Sequence, residues 1–428
     1  FDEIDRASSN RFTGILMGFG GILMGLGAIT FVAANWEGWP RGLQLLLLLG
    51  IFIGVNATGF YLWSKPSPAN TYRNLGQGLL LLGALILGAN MVLMSQIFHQ
   101  SSELYQLLLV WGFGVLLMSC SLKLASLGSL SIALIDSGYL FGLSNIFEKE
   151  NFSGLHWTIQ HMPIVSIFLF VPLAYWCRSR TIFTLAILSF SIALAANILQ
   201  LNSVFLEGLL ILPPALLWGY SEQIWQWRSS RFKVEIHSEI HSEMGVPTKT
   251  SIGSFQAISR NWAVVALSTI FYIGSFDRWR SIRRIALNEN AMPLFWALCF
   301  DLTVLSALAL LGWMQLQPQR DRLQLWRGKV INSSSIAAFL IVTFGFSCWH
   351  LNVIRISSLI CLVFNVLLFL LSIGLIRDGL LEASRRTFWG GMILLILGIA
   401  SRMLEHPTGL LLKSLVFVLC GVGVIVAG

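Results

Sequence analysis

A chain of 428 residues that is 56% hydrophobic and only 11% charged cannot hide its apolar surface in one water-soluble core, because soluble domains carry about 25% charged residues. Lipid is the expected medium for most of it. The formal charge of +8 would suit nucleic acid, but Lys and Arg fall in short loops between apolar runs, where they anchor a cytoplasmic leaflet, so no nucleic-acid partner is expected.

Apolar stretches of about 20 residues recur from end to end, each able to cross a hydrocarbon layer of about 30 Å as a helix. Runs such as Leu43 to Phe52 and Leu79 to Leu87 do not alternate apolar with polar residues, which excludes a transmembrane β-barrel. The expected fold is all-α, a polytopic transmembrane helix bundle of about 14 spans, within a range of about 12 to 15. In chain order these are Phe12 to Asn35, Gly42 to Trp63, Leu75 to Phe98, Gln106 to Leu122, Leu124 to Leu143, Pro163 to Cys177, Thr181 to Leu199 and Asn202 to Tyr220. After a polar interruption follow Trp262 to Phe276, Ala291 to Met314, Val330 to Phe346, Val353 to Ile376, Phe388 to Leu404 and Gly409 to Ala427. Pro163 to Cys177 and Trp262 to Phe276 are short enough to be interfacial or re-entrant.

The polar interruption, Ser221 to Arg260, contains the tandem EIHSEIHSEMG and is too poor in apolar residues to bury a core of its own. It reads as a cytoplasmic linker over residues 221–260, joining an amino-terminal bundle (1–220) to a carboxy-terminal bundle (261–428). Lys and Arg gather in alternate loops, which places the amino terminus inside. The segment Asp277 to Arg284, DRWRSIRR, breaks that pattern, so either the preceding span does not cross or the segment is an amphipathic interfacial helix. No cleavable signal peptide is expected, because the first apolar run is long and lacks a small-residue cleavage site. The chain also begins without Met, which leaves room for residues upstream.

The first span reads GILMGFG then GILMGLG. Gly14, Gly18, Gly21 and Gly25 fall on one narrow helical stripe, a groove that lets another helix approach closely, from this chain or from another subunit. Next comes AANWEGWPRG, in which Trp36 and Trp39 suit the membrane interface and Pro40 starts the following helix. Glu37 lies between the two Trp residues, read first as a cap for that helix and second as a substrate contact. The third span ends in ANMVLMSQIFHQSSELY. Its Asn90, Gln96 and His99 are expected to hydrogen-bond between helices, with a proton or ligand role for His99 as the alternative.

The Gly-rich first span closing in VAANWEGWPR, followed by NLGQGLLLLGALILGANMVLMSQIFHQS, resembles the uncharacterised bacterial membrane-protein family known as domain of unknown function 2157. The likeness covers roughly the first 140 residues, and the stretch GIASRMLEHPTGLLLKSLVFVLCGVGVIV resembles that family's closing pair of spans less distinctly. The resemblance implies a multi-span membrane protein without assigned activity. Asn35, Trp36, Glu37, Pro40, Gln96 and His99 are the residues that match its pattern.

Ionisable residues inside spans carry the most information about function. One at the centre of a span costs about 2.5 to 3.5 kcal/mol, while each Leu, Ile, Phe or Val returns about 0.3 to 0.6. With about ten such residues around it, Asp136 consumes much of its helix's insertion energy, so that helix needs neighbours. Asp301 sits mid-span and Glu207 nearer an end. Each is read either as a paired structural carboxyl or as part of an ion or proton pathway. Arg402 and Lys413 lie close enough to span ends to reach the interface.

His237 and His241 stand four apart, but a charge-rich linker makes them a solvated pair rather than metal ligands. The six cysteines fall singly, without metal or disulfide spacing. No pair of mid-membrane His residues suits a haem, and there is no P-loop, GxSxG elbow or HExxH. No cofactor, metal or catalytic residue is therefore expected. The expected role is a structural, assembly or accessory component of a membrane complex, with the lipid bilayer and other membrane subunits as partners. A transporter or channel using the intramembrane carboxylates is the alternative. A bacterial cytoplasmic membrane is the expected location, or else an internal membrane such as a thylakoid.

Overall fold

The structure, a computed structural model, describes residues 38–65, 71–98, 103–143, 154–201, 205–222, 254–276, 292–316, 330–353 and 357–405, with isolated positions at 30, 34, 279 and 418. No strand occurs among the described residues. The helices are α1 (Arg41–Ser64), α2 (Thr71–Ile97), α3 (Leu104–Leu122), α4 (Ala125–Leu143), α5 (Gly154–Gln160), α6 (Met162–Trp176) and α7 (Arg180–Gln200). They continue as α8 (Leu206–Trp218), α9 (Ser254–Gly274), α10 (Met292–Met314), α11 (Ser333–Asn352), α12 (Ser357–Leu381) and α13 (Arg385–Glu405).

Eight of these, α1 to α4, α7 and α10 to α12, are long and apolar enough to cross a membrane, while α6 and α8 are apolar but shorter. Helical spans follow from the medium, since a backbone in hydrocarbon must satisfy its own N–H and C=O groups. Large apolar side chains point outward, among them Ile341 at 70% exposure and Leu310 at 66%. The buried residues include Asp301 at 0% and Asn197 at 0%.

The expected spans Phe12 to Asn35 and Gly409 to Ala427 lie almost wholly outside the described residues. One boundary is corrected. The helix expected from Trp262 begins at Ser254, two turns earlier, inside the stretch read as linker. Polar Ser259 and Arg260 had argued against a helix there. In the structure Ser259 donates to the Leu217 carbonyl at 2.7 Å and the Arg260 guanidinium lies over the Trp218 ring, so neighbouring α8 absorbs both.

Two compact units divide the chain between Val115 and Leu116, within α3. Helices from either side of residues 223–253 share the second unit, where α8 packs against α7, α9, α10 and α11.

In the first unit α1 and α2 pack side by side, antiparallel. A Cβ at Gly76 would strike the Trp63 backbone, one at Gly83 would strike the Asn56 side chain, and the Asn90 amide donates to the Leu48 carbonyl at 3.1 Å. Each step of seven along α2 meets a step of seven or eight back along α1, so one heptad-spaced stripe makes the whole contact. The Trp111 indole crosses Gly88 and donates to the Ala84 carbonyl at 2.8 Å.

In the second unit, tight corners at Lys123, Arg178 and Ala383 take left-handed backbone conformations, with φ of 55°, 48° and 52°. Asp378 is 4% exposed and accepts the Val330 and Ile331 amides at 2.7 and 2.8 Å. It thereby ties the end of α12 to the entry of α11. Both of its oxygens are used.

Candidate functional site

Pro163 makes the site possible. Lacking an N–H, it cannot continue the ladder of a preceding helix, so α5 ends at Gln160 and α6 begins at Met162 with His161 at the break. The Ile164 amide turns to the His161 carbonyl at 3.1 Å, which frees the Gln160 carbonyl. The Asn197 side chain, from α7, donates to that carbonyl at 3.0 Å. A neighbouring helix thus satisfies a backbone group that the break left open, which is what permits such a break within lipid. One turn on, Ser166–Phe170 is π-helical, a second irregularity of a kind found often at functional sites.

Polar contacts radiate from the break. The Tyr139 hydroxyl, from α4, donates to Asn197 Oδ1 at 2.8 Å and approaches the Ala193 carbonyl at 3.1 Å. A second rung joins the same two helices, since Ser189 Oγ donates to Asp136 Oδ1 at 2.6 Å. Ser189, Ala193 and Asn197 are spaced by four, so all three fall on one face of α7. The His156 and Gln160 side chains meet at 3.1 Å.

Across the break, His161 Nδ1 lies 2.6 Å from Asp301 Oδ1 on α10, 140 residues away in sequence. The imidazole sits between two rings, Trp157 at 4.8 Å and Phe300 edge-on at 5.8 Å. Asp301 Oδ2 is buried and has no hydrogen-bond partner among the described residues.

The structure gives Asp136 and Asp301 different partners, Ser189 and His161. Glu207 lies in the first turn of α8 and accepts from Asn352 at 3.4 Å. Asn90 makes the interhelical bond expected of it, and Pro40 occupies the cap position before α1. Gln96 is exposed near the end of α2. Gly14, Gly18, Gly21, Gly25, Asn35, Trp36, Glu37, His99, His237, His241 and Lys413 lie outside the described residues.

His161, Tyr139 and Asn197 were missed by sequence reasoning. The signal for His161 was the proline two residues after it, at the start of an apolar segment too short to span alone.

Arg402, in the last turn of α13, pairs with Glu405, donates to Ser275 Oγ at 3.0 Å and lies over the Phe276 ring. The end of α9 supplies partners that cost less than desolvating the guanidinium alone. Of the arginine-rich segment DRWRSIRR, only Trp279 is described. It is buried, stacks on Phe364 and donates to the Gly274 carbonyl at 2.6 Å.

Comparison with known proteins covers the amino-terminal part. Residues 1–128 match the family described as predicted membrane protein (DUF2157). With the apolar helices, this makes the chain an integral membrane protein. The DUF2157 match takes in α1, α2 and α3 and ends in the first turn of α4, so the Tyr139–Asn197 and His161–Asp301 contacts fall beyond it. No curated protein and no solved structure matches the chain.

Proposed function

We propose that the chain is a non-catalytic scaffold, a structural, assembly or accessory component of a membrane-protein complex in a bacterial cytoplasmic membrane. The observation that supports this most directly is how its interior polar groups are spent. Tyr139 bonds to Asn197, Asp136 to Ser189, Asp378 to two backbone amides, and Trp313 to the Ala215 carbonyl. These bonds join a helix to a neighbouring helix or to the turn that enters one, and they hold a bundle in one arrangement where apolar contact alone gives little preference over lipid.

The rival role, a transporter or channel for an ion or small solute, asks Asp136 and Asp301 to open onto one polar route. Each instead has its own protein partner. The apolar cavity lined by Ile167, Val171, Phe190 and Leu308 includes neither carboxyl.

Extraction of the full chain in mild detergent, followed by native mass measurement, tests the proposal. The expected result is a stoichiometric complex with other membrane subunits, lost on Gly18→Leu in the first span. A solitary chain that conducts cations in proteoliposomes, with flux abolished by Asp301→Asn, overturns it in favour of transport.

A further inference from the structure

We infer that His161 and Asp301 form a proton-binding site at the break between α5 and α6. This goes beyond the scaffold role and does not depend on it.

The contrast with Asp378 shows what is special about the pair. Both carboxyls are nearly or fully buried, yet Asp378 spends its two oxygens on two amides and is complete as a structural clamp. Asp301 spends one oxygen on His161, and the other has no hydrogen-bond partner among the described residues. A buried carboxylate oxygen left without a donor in apolar surroundings is costly, so an anchoring role leaves it unexplained. A proton-binding role requires it, because that oxygen is where a second proton resides.

The partner suits the task. Imidazole is the side chain that exchanges its proton near neutral pH, and the Trp157 and Phe300 rings accept a cationic or a neutral neighbour. His161 is also the member of the pair with accessible surface, 13% against 0% for Asp301. Finally, the helix is interrupted at His161, and broken helices inside membrane bundles recur at ion-coupling sites.

The exchange balances simply. With one proton, the pair is imidazolium and carboxylate, or imidazole and carboxylic acid, the two related by transfer along the 2.6 Å contact. A second proton arrives from water through His161. The pair is then imidazolium and carboxylic acid, with the added proton on Asp301 Oδ2.

The helices packed against α5, α6 and α10 carry other polar and titratable groups. Asp136 and Tyr139 come from α4 and His156 from α5, while α7 presents the neutral Ser189 and Asn197. Glu207 of α8 lies beside the Gly208 contact with Leu302 and accepts from Asn352. At the far end of α6, Tyr175 is paired with Tyr220.

The Trp157 indole reports on the site, because an imidazolium in ring contact quenches its emission where a neutral imidazole does so less. The test titrates the fluorescence of the full chain in lipid nanodiscs from pH 4 to pH 9 and subtracts the same titration of Trp157→Phe. The expected difference is one transition inside the titrated range. It is retained in His156→Gln and lost in His161→Gln. In Asp301→Asn its midpoint moves by about one pH unit or more, the size expected for removing a charge in contact. A flat difference overturns the proposal, as does a transition that survives His161→Gln. An unmoved midpoint in Asp301→Asn overturns the pairing. The Trp157→Phe comparison uses an otherwise native chain, so it decides the first point even if His161→Gln fails to fold.

Discussion

The pair α1 and α2 and the pair α4 and α7 solve the same problem by opposite means. In an apolar medium two helices gain little from hiding Leu and Ile from each other, so some other interaction must favour contact over lipid. The first pair uses absence of side chain. Gly59, Gly76 and Gly83 let the backbones close in, and Asn90 adds one polar bond. The second pair uses side-chain hydrogen bonds, with Asp136 to Ser189 and Tyr139 to Asn197 as rungs. Close approach fixes a contact sterically and tolerates no enlargement, whereas a hydrogen-bonded rung can be removed at a bounded cost.

That difference sets the order of expected effects. Gly76→Leu should be the most damaging, since its Cβ would meet backbone and not a movable side chain. A loss of about 3 kcal/mol or more, the upper end for overpacking, should appear as a collapse of thermal stability in detergent. Near-native melting would show that α1 and α2 are not held by close approach.

Asn197→Leu comes next. It strands the Gln160 carbonyl and removes one of two acceptors for Tyr139, for a cost of about 0.6 to 1.7 kcal/mol on the scale measured for membrane hydrogen bonds. Urea or SDS unfolding should resolve it, and additivity with Tyr139→Phe would mean that the two residues are not coupled. The smallest effect belongs to Gly345→Ala in α11, where nothing among the described residues lies within 4 Å of an added Cβ. The same methods should find it neutral, or slightly stabilising through helix propensity. A large loss there would break the link between glycine and packing.

Legibility from the sequence follows the same divide. Helix positions were readable to within a few residues wherever the apolar run was clean, as in Gly42 to Trp63 against Arg41–Ser64. The reading failed at Ser254, where polar residues on a helix needed Trp218 and Leu217 from elsewhere to make sense of them. Asp136 and Asp301 stood out because charge inside an apolar run is expensive wherever it occurs. Their partners Ser189 and His161 did not, being ordinary residues in local context.

From the sequence alone come the medium, the helical class and the costly carboxyls, because chain length, apolar content and insertion cost are sums over neighbouring residues. Which glycines are grooves, which carboxyl is complete and which keeps an oxygen unpartnered among the described residues, and the meeting of His161 with Asp301 belong to tertiary structure. Such contacts join residues far apart in the chain, and a local sum carries no term for them.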